Sequence, residues 1–227
     1  ILSKFSFKTL NDNDKIYIYK DGYYQEHGIS IINEIVSKIL KDYFTRHRVL
    51  EVLTYIKYST YTDTEINQEW VCFKNGLFNP ILKEFKQHTP SLFITTQLPY
   101  DYNPESNCPL WKEKLREKCD EDLKYQLIQE WFGYHFLKGQ KYEKALIFYG
   151  QKKTMKSTTL YILGKMLGDK NICGIPLQQL IDDYIRSPIY LYGKLGNICS
   201  DLSKQELKNI VNHPNELIKE VIDKELN

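Results

Sequence analysis

Lys156, Ser157 and Thr158 follow a polar loop of Gly150, Gln151, Lys152, Lys153, Thr154 and Met155, which itself follows the apolar run from Ala145 to Tyr149. Gly150, Lys156 and Ser157 hold the spacing of a phosphate-binding loop, in which glycine, four residues, glycine, lysine and a hydroxyl residue join a strand to a helix. In such a loop backbone N–H groups wrap the phosphates of a nucleotide, the lysine neutralises their charge, and the hydroxyl joins a magnesium shell. Met155 stands where the second glycine belongs. Glycine serves that position because the backbone comes close to the phosphates and takes dihedrals that a side chain resists. A methionine either adopts that backbone under strain or covers the site. An ordinary turn with a lysine at the start of a helix uses the same residues, so both readings stand on this stretch alone.

A second feature lies downstream, where Leu195 to Ser200 form a short, largely apolar stretch ending at Asp201. An acid at the end of a buried strand beyond a phosphate loop can hold magnesium, directly or through water. By itself Asp201 reads as the cap of a helix over Ser203 to Val211. Paired with Lys156 and Ser157, it becomes a candidate metal residue.

The elements that must position these residues follow from periodicity. Lys15 to Tyr19 alternates like a strand, Asp21 and Gly22 supply a tight turn, and Tyr23 and Tyr24 begin the return. Ile32, Ile35, Val36, Ile39, Leu40 and Tyr43 recur at helical spacing behind Ser30 as a candidate cap, and Val49, Leu50, Leu53 and Ile56 mark a second helix. Arg46, His47 and Arg48 between them read as a solvated turn or as a contact for a phosphate. Trp70 to Pro80 reads as strand, Asn75–Gly76 turn and strand, and Phe93 opens a further strand that runs into a proline- and asparagine-rich connection. Pro109 starts a helix through Lys118, and Asp120 caps another with Leu123, Leu127, Ile128, Trp131, Phe132 and Phe136 on one face. His135, near that face, reads as structural. A helix from about Ser157 to Leu167 stops at Gly168. Pro176 opens a short helix through Tyr184, and Tyr190 to Tyr192 is extended. The domain boundary falls near residue 105, giving domains over 1–105 and 106–227.

Composition bounds the class. With 42% hydrophobic and 26% charged residues among 227, the chain is globular rather than disordered. Its net charge of +2 does not announce a nucleic-acid surface. No apolar run approaches the roughly 18 residues that cross a membrane, and no leader segment is visible, so a cytoplasmic location is expected. The five cysteines lack the close pairs of a zinc or redox motif and read as reduced thiols. A start at Ile1 reads as a piece of a longer protein.

With these residues in place, the chain resembles the replicative primase-helicases of phages, plasmids and archaeal elements, whose motor belongs to helicase superfamily three. The similar phrases run in the same order: Lys74 to Phe78, Gln97 to Pro104, Gln129 to Tyr134, Lys144 to Gly150, Pro176 to Leu180 and Leu191 to Leu195. The resemblance implies an α+β, poxvirus-type helicase-associated domain followed by a partial α/β P-loop NTPase domain of the AAA+-like kind. It implies ATP and Mg²⁺ as cofactors, single-stranded or forked DNA as partner, and a homo-oligomeric ring. By matching position the loop from Gly150 to Thr158 would bind the nucleotide, with Lys156 on the β- and γ-phosphates and Thr158 supporting the loop. Ser157 and Asp201 would bind magnesium, and Lys156 and Asp201 would be catalytic. Three loop positions depart from the family, Lys152 and Met155 replacing glycines and Thr154 an asparagine, and Ser200 stands where a second acid is common. Beyond Leu202 the match fades, so a complete motor is not expected. A P-loop scaffold without catalysis, serving assembly or docking, and a decayed gene product are the alternatives.

Overall fold

The computed structural model describes residues 1–11, 14–67, 69–119, 121–137, 144–148, 151–176, 179–180 and 190–199. The chain forms two compact units, Ile1–Tyr100 and Asp101–Asn227.

In the first unit, strands β1 (Phe7–Leu10), β2 (Ile16–Lys20) and β3 (Tyr23–Gln25) form an antiparallel meander. Asp21 and Gly22 join β2 to β3 at φ 54° and 91°. Two successive left-handed residues give the primed turn whose twist suits a hairpin. Helices α1 (Gly28–Leu40) and α2 (Arg46–Ser59) follow, and β4 (Tyr61–Thr62) returns to pair parallel with β1, giving the order β3-β2-β1-β4. Ser30 is not the cap of α1: the helix already begins at Gly28, with His27 before it. Thr45 caps α2, its hydroxyl accepting the Arg48 N–H at 3.3 Å, and the basic cluster is that helix's first turn rather than a free turn.

Alternation in β2 divides the unit's core. Ile16 and Ile18 join Phe7 beneath Ile32 and Val36 of α1 and Val49 and Ile56 of α2. Tyr17 faces the other way, with Leu10, Tyr24 and Phe93. The Phe93 ring meets Tyr17 and Tyr24 edge-on at 5.2 and 5.1 Å between centroids. Burial pushes the Tyr24 phenol up to about 12 while its hydroxyl donates to the Pro90 carbonyl at 2.8 Å.

A second sheet runs β5 (Val71–Phe73), β6 (Gly76–Asn79) and β7 (Glu84–Lys86). The expected Asn–Gly turn is displaced by one residue: Phe73 pairs with Gly76, so Lys74 and Asn75 make the turn and Gly76 lies in the strand. Glycine is required there by space, because a Cβ would stand 2.5 Å from the Phe85 ring and 2.6 Å from the Lys86 carbonyl. The expected strand from Phe93 is not formed either. Phe93, Ile94 and Leu98 are buried, but their segment makes single bonds to different partners: the Ile94 carbonyl accepts from Tyr24 N–H, Phe93 from Asn67 N–H, and Leu98 N–H donates to Cys72.

In the second unit, α3 (Pro109–Lys118) carries proline in its first turn as anticipated, and α4 (Asp122–Tyr134) packs on it. Trp111 meets Phe132 at 6.2 Å, and the Arg116 guanidinium lies 4.6 Å over the Tyr125 ring. The face assigned to α4 is corrected by this contact. Tyr125 is buried, whereas Leu123 and Leu127 are 70% and 48% exposed. Asp120, the expected cap, lies outside the described residues; Glu121 occupies the N-cap without a side-chain bond.

Helix α5 (Lys156–Leu167) ends at Gly168, whose φ of 89° marks the stop. Strand β8 (Ile172–Cys173) pairs parallel with β9 (Gly196–Asn197), and Ile172 and Ile198 reach Gly164 of α5. Of the strand-length run Ala145 to Tyr149, Tyr149 lies outside the described residues and Ala145 to Phe148 form no strand among them: strand composition needs a partner ladder, and neither β8 nor β9 pairs with it. Tyr190 to Tyr192 form a turn rather than an extended segment, with Lys194 N–H donating to the Leu191 carbonyl. Of the helix expected from Pro176, Gln179 and Leu180 are helical and most of the remainder lies outside the described residues, as does the helix expected after Asp201.

Candidate phosphate-binding loop

Residues 151–155 form a tight polar turn at the start of α5. Lys153 and Met155 both have left-handed backbone, with φ 65° and 63°, and Met155 with ψ 9° is the N-cap. The methionine therefore adopts the conformation for which glycine is ordinarily chosen. This answers half of the question its identity raises: the side chain does not prevent the backbone from turning.

Side chains close the turn. The Thr154 hydroxyl donates to the Gln151 carbonyl at 2.8 Å. The Lys156 ammonium folds back over the loop, donating to the same carbonyl at 2.5 Å and to the Thr154 hydroxyl at 3.1 Å. From the other side, buried Thr159 grips the Met155 carbonyl through its N–H at 2.8 Å and its hydroxyl at 3.0 Å. Thr159 was not singled out by the loop pattern. Its signal is four-residue spacing from Met155, which lets a helical threonine bond back to a carbonyl. Ser157 and Thr158 are exposed in the first turn of α5, whose N–H groups carry the positive end of the helix dipole.

The structure thus brings Gln151, Thr154, Met155 and Lys156 into one bonded turn, with Lys152 and Lys153 exposed on it and Ser157 and Thr158 adjoining. Gly150 and Asp201 lie outside the described residues. Three lysines, two left-handed residues and a helix N-terminus make a chemistry that accepts phosphate oxygens. For magnesium, the described residues offer the Ser157 hydroxyl but no cluster of three or more His, Cys, Asp or Glu side chains.

Other singled-out residues are placed elsewhere. His135 is structural: Nδ1 pairs with the Trp131 carbonyl at 2.8 Å, its ring meets the Trp131 ring edge-on, and burial lowers its pKa. None of the five cysteines forms a disulfide.

The family described as D5 N terminal like matches residues 7–120, just over half of the chain. The match takes in every strand and helix of the first unit and continues through α3. No curated protein matches the chain. No helix among the described residues is long and apolar enough to cross a membrane.

Proposed function

The chain belongs to the D5 N terminal like family, the N-terminal domain of D5 primase/helicase-like proteins, and on that premise we propose that it is the ATP-binding front portion of a DNA replication helicase of superfamily three. The observation that carries the nucleotide reading is the Lys156 ammonium held over the turn by Gln151 and Thr154. With a nucleotide bound, the Lys156 ammonium would exchange these two contacts for β- and γ-phosphate oxygens, whose negative charge it would offset. The α5 N–H groups complete the cradle, and Thr159 keeps the Met155 carbonyl turned away from it. Ser157 would hold Mg²⁺ with Asp201, and the ion, when bound, neutralises charge on the bridging phosphates. In a complete ring the same site couples hydrolysis to strand separation.

The test is assembly. Sedimentation with forked DNA is expected to give a larger species with MgATP than without it, and Lys156→Ala is expected to remove the difference. Equal sedimentation of both proteins in both conditions overturns the proposal. A non-catalytic scaffold is the second reading, favoured by Ala145 to Phe148 standing outside the β8–β9 ladder. It predicts assembly that is indifferent to nucleotide.

A further inference from the structure

The basic cluster Arg46, His47 and Arg48 is not used by the nucleotide site. It belongs to the first unit, and all of residues 41 to 48 are exposed. Exposed aromatic rings accompany it: Tyr43 and Phe44 just before α2, at 72% and 50% exposure, and Tyr55 and Tyr58 in its last turns, at 67% and 70%. The core does not need these rings. Val49 and Ile56 already fill the face of α2 that meets the sheet, with Val52 and Leu53 beside them. His47, Leu50, Thr54 and Tyr58 recur at helical spacing on the opposite side, and Tyr55 is one step away.

Charge selects the occupant. From Lys38 to Tyr58 five cations stand against two acids, Asp42 and Glu51; Lys38 and Lys57 pair with Glu34 and Asp14 outside the run and Glu51 is engaged by His47 at 3.2 Å, which leaves Lys41, Arg46 and Arg48 without a carboxylate partner among the described residues. The Arg48 guanidinium donates to the Tyr43 carbonyl at 2.8 Å and lies 5.8 Å from the Tyr43 ring. Neither arginine has a carboxylate partner among the described residues. Flat aromatic rings at both ends of a helix whose first turn carries guanidinium groups without carboxylate partners match a polymer that offers phosphates and unpaired bases together. A duplex offers the phosphates alone, because its base faces are stacked. The run from Arg46 to Tyr58 spans about 18 Å at helical rise, the length of a short stretch of single strand.

We propose that the outer face of α2, with Tyr43 and Phe44 before it, binds single-stranded DNA: Tyr55 and Tyr58 stack on bases while Arg46 and Arg48 contact phosphates. The choice of DNA as the polymer rests on the replication reading above; the stacking and charge do not. The test is fluorescence anisotropy of the full chain with a labelled oligothymidylate of about 20 nucleotides, and with a duplex of equal length, as salt rises from about 50 to 200 mM without nucleotide. Single strand is expected to bind more tightly than duplex. Tyr55→Ala with Tyr58→Ala is expected to weaken single-strand binding about tenfold or more at every salt concentration, whereas Tyr55→Phe with Tyr58→Phe keeps it. Arg46→Ala with Arg48→Ala is expected to reduce the log–log salt slope by about 1.4, or about 0.7 per phosphate contact. Equal duplex and single-strand binding, no binding, or unchanged binding in both alanine pairs overturns the inference. Loss of self-association in the tyrosine pair without any DNA binding also overturns it, assigning the face to a second copy. Because no nucleotide is added, oligothymidylate binding by a chain that does not bind ATP leaves this inference standing and overturns the nucleotide reading alone.

Discussion

Replacing Met155 with glycine tests the loop geometry directly. At φ 63° and ψ 9° a side-chain-bearing residue is disfavoured by about 1–2 kcal/mol relative to right-handed backbone. Glycine removes that cost but adds about 0.4–1 kcal/mol of unfolded-state freedom, and the half-buried methionine side chain gives up some packing. The terms nearly cancel, so Met155→Gly is expected to change local stability by less than about 1 kcal/mol, with Met155→Ile costing more because a β-branched residue resists left-handed backbone. Hydrogen exchange of the peptide spanning residues 151–167 reads this, since the Thr159 N–H bond to the Met155 carbonyl reports on the start of α5. The backbone is already turned, so glycine offers little preorganisation, and nucleotide affinity is expected to rise by less than about tenfold, or ~1.4 kcal/mol. Destabilisation of more than about 1 kcal/mol in Met155→Gly, the cost that glycine carries at an ordinary right-handed position, or Met155→Ile exchanging like the parent, would refute the left-handed assignment and the reasoning built on it.

Three further outcomes follow from packing and bonding. Gly76→Ala is expected to destabilise the first unit by about 1–3 kcal/mol in urea denaturation, because the added Cβ meets the Lys86 backbone carbonyl and the Phe85 ring. Thr159→Val keeps the shape but removes the hydroxyl bond to Met155, and is expected to speed exchange over α5 by an amount equivalent to about 1 kcal/mol. His135 is held neutral by burial, so its folded pKa lies below the ordinary value of 6.5. The unfolded chain binds the proton first as pH falls. The stability it contributes is therefore complete above about 6.5 and is lost progressively as pH drops from there toward the folded pKa. Thermal melts between pH 7.5 and 5 check the direction, and His135→Gln is expected to flatten that part of the profile.

What the sequence made legible is what local chemistry decides. Asp21–Gly22 specified its hairpin because two adjacent left-handed positions have few alternatives, and Pro109 and Gly168 marked helix ends for reasons internal to each helix. Failures occurred where a distant partner decides. Ala145 to Phe148 has the composition of a strand but no ladder among the described residues, and Phe93 to Leu98 has the burial of one while bonding to separate neighbours. Gly76 looked like a turn residue because Asn–Gly usually is one, yet its place is set by Phe85, nine residues later on β7. The outward position of Leu123 and Leu127 depends on where α3 meets α4, which periodicity alone does not state. At the loop, the helix start at Lys156 was legible, while the left-handed state of Met155 and the grip of Thr159 are set by how the turn closes onto α5, which residue spacing alone does not state.

The central claim is that the turn from Gln151 to Lys156 gives up its internal lysine contacts to a nucleotide. Calorimetric titration of the whole chain with magnesium and a non-hydrolysable ATP analogue, beside Lys156→Ala, tests it most directly. Saturable binding by the parent that disappears in Lys156→Ala is the predicted result. No binding by either protein, or equal binding by both, would contradict it.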